Sequence, residues 1–340
     1  MNSAQAFDGT PTEWDAFVRR QPGWTHFHLF GWREVMQRAL GHETIYLATR
    51  EGGELSGVLP LVWVRSALFG RYLVSMPFVN YGGPLGTPEA VRTLAGEAVR
   101  IAETGGAKLL ELRSARELPL DLPVSHRKVT VVLDLPRDSE GLMKAFPAKL
   151  RSQVRRPEKE GVTYAFGPDQ VAPYFEVFAR HMRDLGTPTQ GRELFDTIAS
   201  VFPDDAWFGC AWLGGRPIAA GAGFRWGTEF EMTWASALSE FNRTSANMGL
   251  YRAFMERAIG EGCTRFNFGR CTPGSGTHKY KLQWGGRDEP LWWYQHTGGN
   301  AAASTPSPDH GAFSWGPRIW KRLPLALATA LGPRIVRLIP

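Results

Sequence analysis

Residues 266–286 read FNFGRCTPGSGTHKYKLQWGG, and the rest of the chain is best understood from them outward. Phe266 and Phe268 fall on one side of a short strand and Asn267 on the other, so one polar side chain leaves the strand end. Gly269 marks the turn. Arg270 follows, then a Pro-Gly-Ser-Gly loop, then a cluster of His278, Lys279, Tyr280, Lys281, Gln283 and Trp284. Polar groups delivered to a loop, with lysines returning beside aromatic walls, suit an anionic or carbonyl-bearing ligand. The competing reading is a solvated basic face. Glycines and aromatics alternate with the charges here, which favours a site.

A chain of 340 residues, 43% hydrophobic and 12% aromatic, can bury a large core and is long enough for about two domains. Its opening, MNSAQAFDGTPTEWDAF, is polar and acidic, so no secretion signal is expected there and a cytoplasmic location is. Cys210, Cys263 and Cys271 cannot all pair and lack ligand spacing, and the histidines do not cluster, so no catalytic metal is expected. Of the net charge of +6, much sits in the tail: from Gly298 onward Arg318, Lys321, Arg322, Arg334 and Arg337 face a single acid, Asp309. The body is nearly neutral, which argues against general nucleic-acid binding.

Taken in order, helix patterns at 12–20 and 29–40 precede strands at 44–49 and 55–64, joined by Glu51-Gly52-Gly53. A third strand is expected over 72–78, running into Asn80-Tyr81-Gly82-Gly83-Pro84, and Pro88-Glu89 opens a helix that Gly105-Gly106 closes. Strands at 109–112 and 129–135 complete the set. The second half repeats the order: helices at 139–160 and at 171–202, the latter interrupted at Gly186-Thr187-Pro188, strands at 207–213, 218–226 and 230–236, then a helix at 246–259. AETGGAKLLELRS and AIGEGCTRFNFGR both read as helix end, glycine turn and strand, which points to an internal duplication.

This order resembles the Gcn5-related N-acetyltransferase (GNAT) fold present twice. The runs SMPFVNYGGPL, RSQVRRPEKEG, HMRDLGTP, WASALSEFNRTSANMGLY and FNFGR with KYKLQWGG resemble its Fem-like branch, most narrowly the Fem-like proteins associated with exosortase (PEP-CTERM) systems. The resemblance implies an α/β (α+β) chain of two tandem GNAT-like domains, each a mixed, mostly antiparallel sheet flanked by helices. The expected boundaries are 1–136, 137–297 and, for a linker with a basic amphipathic tail, 298–340. It also implies acyl or aminoacyl transfer to an amine or hydroxyl of a cell-envelope or exopolysaccharide precursor. No bound cofactor is expected, and the donor would be aminoacyl-tRNA or acyl-CoA. The alternative is an inactive ligand-binding or scaffold protein of such a system.

Two departures matter. The family's strand usually reads FDFGRS, whereas here Asn267 replaces the acid and Cys271 the serine, so a carboxylate base at that place is excluded. The segment ALSEFNRTSANMG lacks the glycine loop by which typical members of the fold cradle the pyrophosphate of acetyl-CoA. By its match to the Fem pattern in Tyr280 to Gly285, Lys281 is the first candidate catalytic group, stabilising a developing oxyanion. Asp184 is the candidate acceptor base, and Lys279 is held in reserve.

The candidate binding residues are spread along the chain. Arg151, Arg155 and Lys159 share one helix face and suit a phosphate, or form a solvated surface; Pro157 is expected to break that helix. Arg183 either contacts substrate or closes its helix end, and it is not expected to pair with Asp184, since adjacent helical residues point apart. Ser245 and Asn247 are expected to cap the next helix, whose N-terminus could equally receive an anion. Asn80 and Tyr81 occupy the corresponding loop of the first half. Trp234, Asn267, Arg270 and Gln283 complete the candidates, with sheet packing the simpler reading for Trp234.

The stretch 298–314 reads as a flexible linker. Beyond it, apolar residues alternate with the five basic ones, and the longest uncharged run, 323–333, is too short to span a bilayer. Two readings stay open: a helix lying on an anionic membrane, broken at Gly332-Pro333, or one whose apolar face packs on the protein body.

Overall fold

The computed structural model describes residues 3–298 and 316–339. They form two compact units: one comprises 3–128 with 290–298 and 337–339, the other 129–289 with 316–336. The expected linker therefore lies outside the described residues except for Gly298.

The first unit holds β1 (Gln5–Ala6), α1 (Pro11–Arg20), α2 (Trp32–Glu34), β2 (Glu43–Glu51), β3 (Glu54–Ser66), β4 (Gly70–Val74), β5 (Leu85–Gly86), α3 (Pro88–Thr104), β6 (Leu109–Ser114), β7 (Val124–Ser125) and, from far along the chain, β15 (Trp292–His296). The strands line up as β1-β2-β3-β4-β6-β15-β7, with β5 on β3. Thr10 and Thr87 start the two long helices by accepting hydrogen bonds from the N–H groups of Glu13 and Ala90, each with proline in the first turn. Along α3, Val91, Leu94, Ala98 and Ala102 recur at helical spacing and bury against Leu59, Leu61, Leu73 and Leu110 of the sheet. Each large aliphatic side chain so buried contributes roughly 1.5–3 kcal/mol.

The second unit holds β8 (Val129–Asp134), α4 (Ser139–Ala145), α5 (Ala148–Lys159), β9 (Thr163–Phe166), α6 (Val171–Leu185), α7 (Arg192–Val201), β10 (Ala206–Leu213), β11 (Arg216–Trp226), β12 (Glu229–Ala237), α8 (Ala246–Gly260), β13 (Arg265–Cys271), α9 (Gly276–Leu282), β14 (Arg287–Pro290), α10 (Gly316–Trp320) and α11 (Leu325–Val336). Its sheet runs β14-β8-β13-β12-β11-β10-β9. Alternation along the strands sorts the layers. Trp207 stacks on Phe230, which packs on Phe254 of α8, while the next residue, Phe208, meets Tyr174 of α6 and Phe195 of α7 on the opposite face.

The two units repeat one connection at one register. In each, two antiparallel strand pairings lead through a helix to a parallel strand: β4 pairs with β6 at Tyr72↔Leu109, Leu73↔Leu110 and Val74↔Glu111, and β12 pairs with β13 at Glu229↔Arg265, Phe230↔Phe266 and Glu231↔Asn267. The two segments aligned from sequence thus coincide residue for residue, down to the left-handed turns at Gly106 and Gly262.

Several expectations are corrected. β8 was placed in a first domain ending at 136, but it pairs antiparallel with β13, so the division falls at 128/129. The final segment is no separate appendage either, since α10 and α11 pack on α6. The third strand stops at Val74 instead of 78, because Met76 and Phe78 adopt φ of +56° and +71° in the loop that follows. That loop is held by Arg113, which donates to the carbonyl of Val79 at 2.8 Å while forming a buried ion pair with Glu111. The helix over 29–40 is a short α-turn continued by π-helical turns at Val35–Ala39. The helix over 139–160 is two helices split at Pro147, and α5 continues through Pro157, whose buried ring costs one hydrogen bond two residues from the helix end. Pro333 likewise lies within α11.

β15 closes the first sheet by pairing with β6 and β7, and Tyr294 fixes it: its hydroxyl accepts from Leu118 N at 2.6 Å and donates to Leu118 O at 3.0 Å. Tyr294→Phe removes both bonds while keeping the ring, and should destabilise the protein by about 1–2 kcal/mol. A urea midpoint unchanged from the parent would show that the hydroxyl does not hold this turn.

Candidate active site

In the second unit the parallel pairing of β12 with β13 ends at Glu231 and Asn267. Beyond it β12 stays with β11 as far as Ala237, whereas β13 turns at Gly269, with φ +70°, and pairs with β8 at Arg270 and Cys271. A wedge opens between two parallel strands. At its mouth, beside the first turn of α8, lies a cavity of about 210 Å³ lined by Ile218, Ala237, Leu238, Phe241, Asn247 and Tyr280 among others. A Cβ at Gly249 would come within 1.7 Å of the Tyr164 hydroxyl, so glycine lets α8 sit close.

α9 packs on β13 and β8 beside the wedge. Ser275 caps it by accepting from His278 N at 3.2 Å. His278 accepts the Gly274 N–H at Nδ1, so its Nε2 proton is directed at Asp288, 2.8 Å away, which ties the turn to β14. Tyr280 lines the cavity, and its hydroxyl accepts from Asn247 Nδ2 at 2.9 Å. Burial, with the Tyr251 hydroxyl nearby, raises its pKa well above the ordinary phenol value, so it stays protonated. Lys281 is only 5% exposed; Nζ donates to the carbonyls of Gly269 at 2.6 Å and Arg270 at 2.9 Å. Burial lowers its pKa to about 8. Of its three N–H donors, two hold the end of β13.

Asn267 occupies the fork itself, 1% exposed. Its Oδ1 accepts from the Thr130 hydroxyl and from Gly269 N at 2.8 Å, and its Nδ2 donates to Glu229 at 2.9 Å. A carboxylate could not make the last bond and would lie against another acid, whose own pKa burial already raises. The amide is the residue this environment requires.

The other candidates divide. Asn247 and Arg270 lie at the mouth and arm of the wedge, and Lys279 on α9 and Gln283 just after it are exposed. Asn247 does not cap α8 and neither does the Ser245 side chain: Ser245 sits at φ +57°, and Thr244 Oγ1 accepts from Ala246 N instead. Asn247 Oδ1 is buried with no hydrogen-bond partner among the described residues. Arg183 does pair with Asp184, Nε to Oδ1 at 2.7 Å, because the helix ends one residue later and its long side chain folds back; it also donates to Leu323 O. Both end α6, on the sheet face opposite α8 and α9, so Asp184 is not assembled with Lys281. Trp234 packs on Phe195 and Phe224 of that same face. Arg151 donates to Phe146 O at 2.6 Å, while Arg155 and Lys159 are exposed on α5. Asn80 and Tyr81, in the first unit, are each 3% exposed, with Tyr81 stacked on Phe27.

Sequence reasoning passed over Tyr280 as a chemical group and missed Glu229, Thr130 and Asp288 altogether. Alternation in EFEMTW, residues 229–234, was the available signal for the first, since Glu229 and Glu231 share a strand face. Their burial only follows from strands far apart in sequence.

Comparison with known proteins matches residues 144–282 to the acetyltransferase (GNAT) domain family. No curated protein sequence matches significantly. Among solved structures, FemX superposes with a TM-score of 0.66 at 16% identity, covering 86% of this chain and 98% of FemX. L-PGS from Bacillus licheniformis gives 0.58 at 14% over 92% and 98%, and a tandem GNAT protein from the clavulanic acid biosynthesis pathway 0.55 at 15% over 88% and 99%. The fold is that of two tandem GNAT-like domains.

Lys281→Met should destabilise the protein by about 2–4 kcal/mol, since two carbonyls lose a charged donor. The loss should depend on pH. The folded pKa of about 8 lies below the unfolded value of 10.5, so between them the unfolded chain holds a proton that the folded one has released. Wild-type stability relative to the variant therefore rises from pH 8 to 10.5. Parallel stability curves for the two proteins across that range would contradict the buried placement.

Proposed function

We propose that the chain, carrying the acetyltransferase fold twice, is a Fem-like acyltransferase. It moves an acyl or aminoacyl group to an amine or hydroxyl of a cell-envelope or exopolysaccharide precursor, on the cytoplasmic side. The observation that carries this reading is the wedge between β12 and β13 with Tyr280 at its mouth and Lys281 at its arm.

In this mechanism the donor carbonyl enters the wedge, and the acceptor nitrogen or oxygen forms a bond to its carbon. The oxyanion that develops is stabilised by the remaining Lys281 N–H. As the bond to the leaving group breaks, Tyr280, which burial keeps protonated, gives it a proton. The acceptor releases its proton to solvent, and Tyr280 recovers one in turn.

Aminoacyl-tRNA is the donor in this reading. It is supported by the likeness to FemX and to L-PGS, and by the related C-terminal domain of a putative lysylphosphatidylglycerol synthetase from Agrobacterium fabrum, whose name joins an amino acid to an envelope lipid. The exosortase-type motifs support an exopolysaccharide-related acceptor. Coenzyme A is the second reading, favoured by the cavity at the first turn of α8.

Tyr280→Phe should lower turnover by about 10²–10⁴-fold with stability changed by under about 1 kcal/mol. Turnover should fall as pH rises through about 8, where Lys281 loses its proton; a rise there would make Lys281 a base instead. The deciding assay offers labelled aminoacyl-tRNA and acyl-CoA with lipid-linked and sugar-nucleotide acceptors. Transfer from acyl-CoA alone would select the second reading, and no transfer from either donor would end both.

A further inference from the structure

The final helices bury the wrong side for an ordinary amphipathic element. α11 meets the body through Ala328 and Gly332, both buried, and a Cβ at Gly332 would lie 2.8 Å from the backbone of Thr189. Pro333 packs against Gly191, and Pro317 of α10 packs against Gly186. The small residues therefore make the contact with α6 and the loop after it. Trp320, Leu323, Leu325, Ile335 and Val336 are half-buried, whereas three large side chains of these helices face out. Leu327 and Leu331, one turn apart on α11, are 51% and 42% exposed, Ile319 of α10 is 52% exposed, and Leu185, next to Gly186, is 53% exposed. Of the six large hydrophobic residues this exposed among those described, four cluster on these packed elements.

Charge indicates what this face meets. Residues 316–336 carry Arg318, Lys321, Arg322 and Arg334 and no acid, all four are exposed, and Asp184 at the end of α6 is paired with Arg183. Arg334 continues the row of Leu327 and Leu331 along α11, and Lys321 and Arg322 close α10. A protein partner would have to bring several acids to a face whose centre is aliphatic. A bilayer with anionic headgroups supplies both at once: phosphates at the rim, and acyl chains beneath for the leucines. Among the described residues no helix is long and apolar enough to cross a membrane, so contact would be from one side.

We propose that α10, α11 and the end of α6 form a docking face for an anionic membrane surface, held rigidly on the second unit by its small-residue contacts. This places the folded enzyme on the bilayer instead of trailing it from a loose anchor. The inference stands apart from the proposed chemistry, since it uses none of the wedge residues.

The test is co-sedimentation of the full chain with vesicles of phosphatidylcholine mixed with phosphatidylglycerol, and with phosphatidylcholine alone. Binding should be about a hundredfold tighter to the mixed vesicles and weaken with added salt. L327S/L331S and, separately, K321E/R322E should each lower it about tenfold or more, with far-ultraviolet circular dichroism and thermal midpoint unchanged because these side chains are exposed. Equal binding to both vesicle types, or full binding by both variants, would overturn the proposal. So would sedimentation equilibrium showing a dimer of the full chain that L327S/L331S abolishes, which would assign the face to a second copy.

Discussion

Everything in this fold turns on two parallel strands that pair for three residues and then separate. A strand that loses its neighbour exposes backbone donors and acceptors, and the residue at the point of parting is buried on all sides. Both units place a polar residue there, Glu111 in one and Asn267 in the other, and both surround it with bonds. Glu111 takes Arg113 and Gln295, and Arg113 in turn grips the carbonyl of Val79, so the ion pair shapes the loop beyond the strand. Asn267 takes Thr130, Gly269 and Glu229, so the amide fixes the irregularity at which β13, paired with β8 on both sides of it, leaves β12. The wedge, the cavity beside it and the lysine that ties down its arm follow from that local requirement.

This also reinterprets the substitution that seemed to count most against activity. Read alone, the loss of an acid from FDFGRS looks like the loss of a base. In place, the amide is one donor and two acceptance sites in a closed network, and the groups proposed to act at the wedge stand on α9 instead. Structural necessity and catalytic need are separate explanations for a polar residue in a strand, and only the partners tell them apart.

The element order and the duplication were legible because they rest on local signals: period, glycine turns and proline at helix starts. The partner of each strand was not. β8 follows the first unit in sequence and looked like its last strand; what assigns it to the second is the register with β13 across more than a hundred residues. The same limit applied to the site. Lys281 was found by its pattern, but that Tyr280 faces the cavity depends on Asn247, and that Asp184 ends up with Arg183 depends on where α6 stops. Prolines misled in both directions, because whether Pro147 splits a helix or Pro157 is tolerated depends on what the ring packs against and how close the helix end is.

The provenance of β15 has a temporal meaning. As the chain leaves the ribosome, β6 is complete at Ser114, but the strand that covers its outer edge begins only at Trp292. At ordinary rates of translation that interval is roughly 10–35 seconds, during which β6 presents a row of unsatisfied backbone groups of the kind that recruits stray strands. The nearest stray is β8, made almost at once and itself waiting for β13. The nascent chain thus carries its own competitor for the vacant edge, and the sheet begun first receives its last strand after every strand of the second sheet has been made.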